Sequence, residues 1–252
     1  MLFFALLACR PPEAPDNFED MMGYGLVHFA DEDDDALQAL ADKLIPWVES
    51  NLETTEEGYE IAPLSEAELT EAGIDASAEE AILGVAVSVS LGVSLDDVTA
   101  GLTYPNLDEI FSNYVSFTRT PLDDRDCFLG GDCTAHSVTD DLHSSVGLGI
   151  EFESTYGVDF RRVPLDDGGA LLLRRQVGTD PVDFNVDFLA VYQQYGLDIC
   201  YEAGDGSTRR VQALWADGEV LNADTAEGLY LNLSINTLKK GNADLETWLL
   251  EN

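Results

Sequence analysis

The chain has 252 residues, enough to bury a core, and 45% of them are hydrophobic, which excludes a disordered acidic polymer. Its formal net charge is -37, from 49 acidic and 12 basic residues. A surface this negative repels phosphate backbones and anionic lipid head groups, so we expect no nucleic-acid partner.

The chain begins with an apolar run that ends at Cys9 and is too short to span a bilayer as a helix. Its last four residues, Leu6-Leu7-Ala8-Cys9, resemble the lipobox of bacterial lipoproteins. The resemblance implies a signal peptide over residues 1–8, a lipidated Cys9 and a tether over residues 9–25. Because no Asp follows Cys9, it also implies the outer membrane, with the protein facing the periplasm or the cell surface. The alternative is a short buried strand with a chance cysteine.

A small helical segment is expected over residues 26–75. Leu37, Leu40 and Leu44 recur at helical spacing and predict a helix over residues 31–50, which Pro46 should kink or end. Residues 59–64 favour a short strand, and Ser65 with Glu68 has the pattern of a capping box. The segment is too small to be stable alone, so it should pack on a main domain over residues 76–252.

The stretch from Ile82 to Tyr114 organises the main domain. Valines alternate with small residues from Val85 to Val93, the pattern of a half-buried strand. Ser94 has the position of an N-cap, followed by acids in a first helical turn. Tyr104-Pro105 ends that helix, and a second short helix should follow before the chain returns to a strand at Tyr114.

Residues 119–145 are predicted to form a long acidic loop that contains Cys127 and Cys133. In an oxidising compartment these two cysteines would close a disulfide around a short glycine-containing loop. A zinc site with His136 and His143 is the alternative, but the spacing matches no usual zinc framework. We therefore favour the disulfide, assign no metal, and leave the pairing state of Cys200 open.

The rest of the chain indicates an antiparallel meander followed by a helix. Glycine-rich and proline-containing turns separate the strand candidates, with one turn expected at Tyr195-Gly196. A single apolar stripe then runs through the C-terminal residues and predicts one long helix with a weak point at Gly241. The strand candidates are Val146–Glu153, Val158–Val163, Ala170–Val177, Val186–Tyr192, Leu197–Glu202 and Thr208–Trp215.

This order of elements resembles the START-like helix-grip proteins of the SRPBCC superfamily, which includes polyketide cyclases and lipid-transfer domains. The local sequence is also similar to that superfamily at Ser94, Asp96-Asp97, Tyr104-Pro105 and Ile110-Phe111. The resemblance implies an α+β fold in which a curved antiparallel sheet packs on a long C-terminal helix. It also implies an apolar cavity between sheet and helix, where the superfamily binds sterols, lipids, polyketides or quinone-like molecules.

No catalytic signature is present, and we assign no catalytic residue and no cofactor. Adjacent arginines recur in the predicted strands, and by alternation Arg162, Arg175 and Arg209 share a face with apolar residues. We hypothesise that these three place positive charge in the cavity for a carboxylate or phosphate on an apolar ligand. Cross-strand pairing with the abundant acidic residues is the alternative.

The sequence thus favours a lipid-anchored envelope protein whose helix-grip domain binds a small apolar or amphipathic ligand. One alternative is a structural or interaction lipoprotein with a closed cavity and an acidic partner-binding surface. A cyclase-like enzyme is a further alternative. The sequence identifies no protein partner.

Overall fold

The computed structural model describes residues 13–75, 82–147, 149–220 and 226–252. The predicted signal peptide and Cys9 lie outside these residues. The described residues form seven α-helices: α1 Phe18–Val27, α2 Asp35–Ser50, α3 Leu52–Glu57, α4 Glu66–Glu71, α5 Leu95–Leu102, α6 Arg125–Leu129 and α7 Ala226–Glu251. They form nine strands: β1 Tyr59–Leu64, β2 Ile82–Leu91, β3 Tyr114–Pro121, β4 Ala135–Gly147, β5 Ile150–Pro164, β6 Ala170–Gly178, β7 Asp183–Phe184, β8 Leu189–Glu202 and β9 Thr208–Val220.

The strands form one curved antiparallel sheet in the order β1-β2-β9-β8-β6-β5-β4-β3, and the short strand β7 pairs with β5. Helix α7 packs against β2 and β9 on one face of the sheet. Helices α1, α2 and α3 cover the other face. The result is the expected helix-grip arrangement, with an additional helical layer on the outer side of the sheet. We call that layer, α1 to α4, the N-terminal layer.

The sheet buries apolar residues on both faces, in two separate clusters. The first lies between the sheet and the N-terminal layer and contains Leu40, Tyr195 and Trp215. The second lies between the sheet and helices α5 and α7 and contains Phe160 and Leu245. Because successive side chains of a strand point to opposite faces, adjacent residues contribute to different clusters.

Two helices begin as the sequence predicts. The Ser94 side chain accepts a hydrogen bond from the Asp97 backbone N–H, and Asp97 accepts one from the Ser94 N–H in return. Ser65 and Glu68 form the same reciprocal pair at the start of α4. Each capping box satisfies backbone donors that the first helical turn leaves free. Of the kink or early stop predicted at Pro46, the early stop does not occur, because α2 continues through Pro46 to Ser50.

From Phe18 onward, the tether expected over residues 9–25 is replaced by α1. Asn17 caps this helix by accepting a hydrogen bond from the Asp20 backbone N–H, and Phe18, Met21 and Met22 are buried in the first cluster. The glycines and acids in this stretch favour turns locally. Burial of the aromatic and methionine side chains outweighs that preference.

The long loop expected over residues 119–145 is also corrected, because it contains α6 and most of β4. The inward side chains of β4 are His136, Val138, Asp140, Leu142 and Ser144. Three of these five are polar, so the strand lacks the apolar alternation by which half-buried strands are recognised. Its polar inward residues are held by partners elsewhere in the chain: His136 by Asp123, Asp140 by Arg119 and Ser144 by Asn113.

Two pairs of predicted strands are joined. The turn expected at Tyr195-Gly196 lies in the middle of β8, where Gly196 pairs with Leu214 of β9. Likewise, β5 runs without interruption from Ile150 to Pro164. Gly196 therefore lies inside a continuous paired strand and not at a chain reversal.

Strand β2 is buried on both sides, not on one. The alternating small residues Ala86 and Ser88 face the N-terminal layer, where the Ser88 hydroxyl bonds to Thr55 of α3 at 2.5 Å. They therefore permit close helix packing and do not create space beneath α7.

Among the described helices, none is long and apolar enough to cross a membrane.

Gly84 of β2 provides a direct test of the packing on the side of the N-terminal layer. A Cβ at this position would overlap the indole ring of Trp215 and lie 2.8 Å from Cγ1 of Ile61. We expect Gly84→Ala to lower the free energy of unfolding by about 1–3 kcal/mol, because overpacking forces neighbours off their preferred positions. Urea unfolding measures the change.

Gly92→Ala is the matched control, since its Cβ would meet nothing closer than Glu246 Oε1 at 3.7 Å. We expect this control to stay within about 0.5 kcal/mol of the parent protein. Equal effects of the two substitutions would contradict the packing described for β2.

Candidate functional site: a cavity between the sheet and α7

A cavity of about 170 Å³ lies between the sheet and helix α7. Its walls are largely apolar, and its floor is made by strands β6, β8 and β9. Helix α7 contributes Thr237, Leu238 and Gly241 to the opposite side. The apolar wall residues are Leu102, Leu107, Phe111, Tyr114, Phe117, Leu142, Val146, Phe152, Tyr156, Leu214 and Leu238.

Four charged residues line this cavity: Asp140, Arg174, Asp198 and Arg210. Asp140 is held by Arg119, whose Nε and Nη2 each donate to one carboxylate oxygen at 2.7 Å. Both side chains are at most 5% exposed. This bidentate pair is electrically neutral, so Asp140 adds no net charge to the cavity.

The same Arg119 fixes the segment that covers one side of the cavity. Its Nη1 donates to the backbone carbonyls of Leu102 and Tyr104 at 2.9 and 3.0 Å. Arg125 donates to the carbonyls of Ala100 and Thr103. Two arginines thus satisfy carbonyls at the C-terminal end of α5, where the helix itself offers no partner and the dipole favours positive charge.

The centre of the floor is Asp198, which is 2% exposed. Arg210 donates to Oδ2 of Asp198 at 2.6 Å, and Gln212 donates to Oδ1 at 3.2 Å. Arg210 also donates to Oδ1 of Asn242 on α7 at 2.9 Å, and Asn242 donates to Gln212. We call Asp198, Arg174, Arg210, Gln212 and Asn242 the floor network. It links three strands of the sheet to α7.

The floor network keeps Asp198 ionised. Burial alone would raise the pKa of its carboxyl group. The charges of Arg210 and Arg174 and the hydrogen bonds from Arg210 and Gln212 outweigh burial, so the pKa lies below the ordinary value of 3.8. Nearby, burial raises the pKa of the Cys200 thiol to about 12, so this unpaired cysteine stays protonated at neutral pH.

Arg175 and Arg209, predicted to face the cavity, lie on the other face of the sheet. Arg175 pairs with Asp159 at 3.0 Å, donates to the Ala72 carbonyl and lies over the Phe29 ring. Arg209 pairs with Glu49 of α2 at 3.2 Å. Both arginines therefore hold the N-terminal layer against the sheet, which corrects their expected placement.

Arg162 lies on the α7 side but outside the cavity lining, where it pairs with Asp96 at 3.0 Å and lies over the Phe128 ring. As strand alternation predicts, adjacent arginines point to opposite faces. The prediction of which face holds the cavity was wrong, because both faces of the sheet carry apolar residues. The cavity-lining members of the pairs are the neighbours, Arg174 and Arg210.

A signal for Arg174 and Arg210 does exist in the sequence. Gln176, Gln194 and Gln212 lie at even positions of neighbouring strands and line the same cavity as the two arginines and Asp198. Asp198 pairs directly with Arg174 on one side and with Gln212 on the other. A polar row repeated on one face of adjacent central strands marks a lined cavity, because buried polar groups need partners.

The other residues singled out in the sequence lie away from the cavity lining. Cys127 and Cys133 are joined by a disulfide, with Cα atoms 5.3 Å apart. His136 is buried, stacks on Phe128 and Phe160, and pairs with Asp123. His143 pairs with Glu151 at 3.2 Å. The structure does not bring these cysteines and histidines together as ligands of one metal ion. Among the described residues, no group of three or more potential ligands is placed to hold a metal ion.

These features define an α+β helix-grip domain with a cavity of mixed polarity.

No protein-family model matches the chain, and no curated protein matches it either. Solved structures with a similar fold include a START superfamily protein from Mycobacterium smegmatis, at 11% identity and a TM-score of 0.46, over 67% of this chain and 97% of that one. A STAR-related lipid transfer protein from Xanthomonas axonopodis matches at 15% identity and a TM-score of 0.43, over 65% and 86%. Human StAR-related lipid transfer protein 5 matches at 9% identity and a TM-score of 0.43, over 69% of this chain and 79% of that one.

Replacing Asp198 tests the floor network. Asp198→Asn leaves Arg174 and Arg210 without their counter-charge, and we expect the free energy of unfolding near neutral pH to fall by about 3–5 kcal/mol. The folded pKa of Asp198 is depressed, so its stabilising contribution is complete above the ordinary value of 3.8 and is lost as the pH falls through the folded pKa.

The difference in stability between the parent protein and Asp198→Asn should therefore shrink in acid. Urea unfolding of both proteins over a series of pH values, from neutral to strongly acidic, measures it. A difference that stays constant over the whole series would contradict the assigned ionisation.

Proposed function

We propose that this protein binds a small apolar or amphipathic ligand in the cavity between the sheet and α7. The observation that supports this most directly is the composition of the cavity. Apolar walls surround a few converging polar groups, which is the usual makeup of a small-molecule site. A space left only by imperfect packing would be apolar and would not contain a hydrogen-bonded ionic network.

We further propose that the protein is a lipoprotein of the bacterial cell envelope. Its lipidated Cys9 would anchor it in the outer membrane. The sequence Leu6-Leu7-Ala8-Cys9 supports the anchor. The disulfide between Cys127 and Cys133 supports an oxidising compartment, since such bonds are rare in reducing cytosol. The anchor would keep the domain near a membrane despite its repulsion from anionic lipids.

Ligand carriage is tested with protein purified from its own cells. Native mass spectrometry is expected to show a small molecule bound to the intact chain. Gly241 lines the cavity, and a Cβ there would have only Phe111 Cε1 nearby, at 3.9 Å. Gly241→Leu should therefore place its side chain in the cavity and remove most of the bound ligand.

Ala243→Leu is the matched control, because Ala243 is exposed on α7 two residues further on. It adds a similar side chain outside the cavity and should retain the ligand. An empty parent protein, or equal loss in both variants, would favour a structural or interaction lipoprotein with no ligand.

The anchor is tested by metabolic labelling with a fatty-acid probe in a bacterial host. The parent protein should incorporate the probe and Cys9→Ala should not, because the lipidated group is the Cys9 thiol. Cys200→Ala removes a buried free cysteine and should label like the parent. Labelling of Cys9→Ala at the parent level would refute the anchor.

A further inference from the structure

Among the described residues, the charged lining of the cavity taken together with Arg119 carries one excess positive charge, although the whole chain has a net charge of -37. Arg119 neutralises Asp140 from outside the lining. Asp198 balances only one of the two remaining cations, Arg174 and Arg210. A buried charge that is not balanced is costly, so this arrangement favours an anion from outside the protein.

The two arginines differ in how they are held. Arg210 makes a 2.6 Å bond to Asp198 and a 2.9 Å bond to Asn242, and it is 3% exposed. Arg174 approaches the same Asp198 oxygen only to 3.5 Å, which is longer than an ordinary N–H···O hydrogen bond. Its short contact is with the neutral side chain of Gln176, at 2.6 Å. Arg174 is therefore the cation whose charge is least compensated.

A second observation also indicates that an acceptor belongs in this cluster. Nε of Arg210 is buried and has no hydrogen-bond partner among the described residues. An unsatisfied buried donor costs about 1–3 kcal/mol. An acceptor group bound beside Arg174 enters the same cluster and lowers the cost of burying two guanidinium groups with one carboxylate.

The size of the cavity limits the rest of the ligand. Sites for drug-sized molecules have volumes of roughly 300–1,000 Å³. This cavity, at about 170 Å³, is smaller. It suits a single short chain or a single ring and excludes a lipid with two acyl chains unless the cavity expands. One excess positive charge also suits a monoanion better than a phosphate dianion.

We propose that the ligand is a small amphipathic monocarboxylate, whose carboxylate pairs with Arg174 and whose apolar part lies among Leu214, Leu238 and Phe111. This proposal rests on the cavity being a binding site. It assigns specificity to Arg174, with Arg210 and Asn242 fixing the geometry of the floor. The carboxylate forms charge-assisted hydrogen bonds with a guanidinium fork that suits two oxygen acceptors.

The test compares octanoate with octanol, which share an alkyl chain and differ in charge, by isothermal titration calorimetry on delipidated protein. Octanoate should bind about 10- to 100-fold more tightly, the range expected for a hydrogen-bonded charged pair in a buried site. In Arg174→Gln this preference should disappear, while octanol affinity stays within about threefold of the parent.

Arg175→Gln is the matched control. It removes the same charge one residue away, on the opposite face of the sheet. It should keep the preference for octanoate, with thermal unfolding of each variant measured to verify that it is folded. Any loss of stability through the N-terminal layer would not alter the ratio of the two affinities.

The possible failures are distinguishable. Equal binding of octanoate and octanol to the parent would overturn the carboxylate proposal and leave the ligand-binding function standing. A preference that survives in Arg174→Gln would overturn the role of Arg174. No binding of either compound would overturn this proposal and, together with an empty native mass spectrum, the proposed function.

Discussion

The carboxylate of Asp198 is the point on which the architecture of the cavity depends. It binds Arg210 and Gln212 of one strand, faces Arg174 of another, and is linked through Asn242 to the C-terminal helix. A buried ion cluster contributes little net stability compared with apolar packing, but it fixes geometry, because each member needs its partners. Here it sets the distance at which α7 crosses the sheet and leaves a space with a polar floor.

The sheet can support this polar floor because its other face buries a large apolar cluster against the N-terminal layer. The N-terminal layer buries Leu173, Tyr195 and Trp215. Arginines at its margin bind this layer directly: Arg161 donates to the carbonyls of Phe29 and Asp31 and pairs with Asp34. Each face therefore buries an apolar cluster, and the cavity lies on the face that packs against α7.

Much of the fold was readable in the sequence, because it depends on local chemistry. Capping at Ser65 and Ser94, the strand that begins at Ile82 and the long final helix each follow from side chains within a few residues. The failures have a common cause in contacts between elements that are distant in the sequence. Strand β4 carries His136, Asp140 and Ser144 inward, and helix α1 hides buried residues among turn formers. Neither feature is visible without the partners that satisfy or cover it.

The candidate site was only partly predictable for the same reason. The sequence showed that adjacent arginines must divide between two faces, and the structure has this division at Arg174 and Arg175. It did not show which face holds the cavity, because both faces carry apolar residues. The identity of the cavity-lining arginine depends on Asp198 and Asn242, which lie on other elements and come together only in the folded chain.

A crystal structure of the protein as purified from its own cells tests the central claim most directly. The account predicts connected density for one small elongated or ring-shaped molecule, with oxygen atoms within hydrogen-bond distance of Arg174 and its apolar part beneath α7. A cavity filled only by ordered water, or closed by movement of Leu238 and Phe111 onto the floor network, would contradict it.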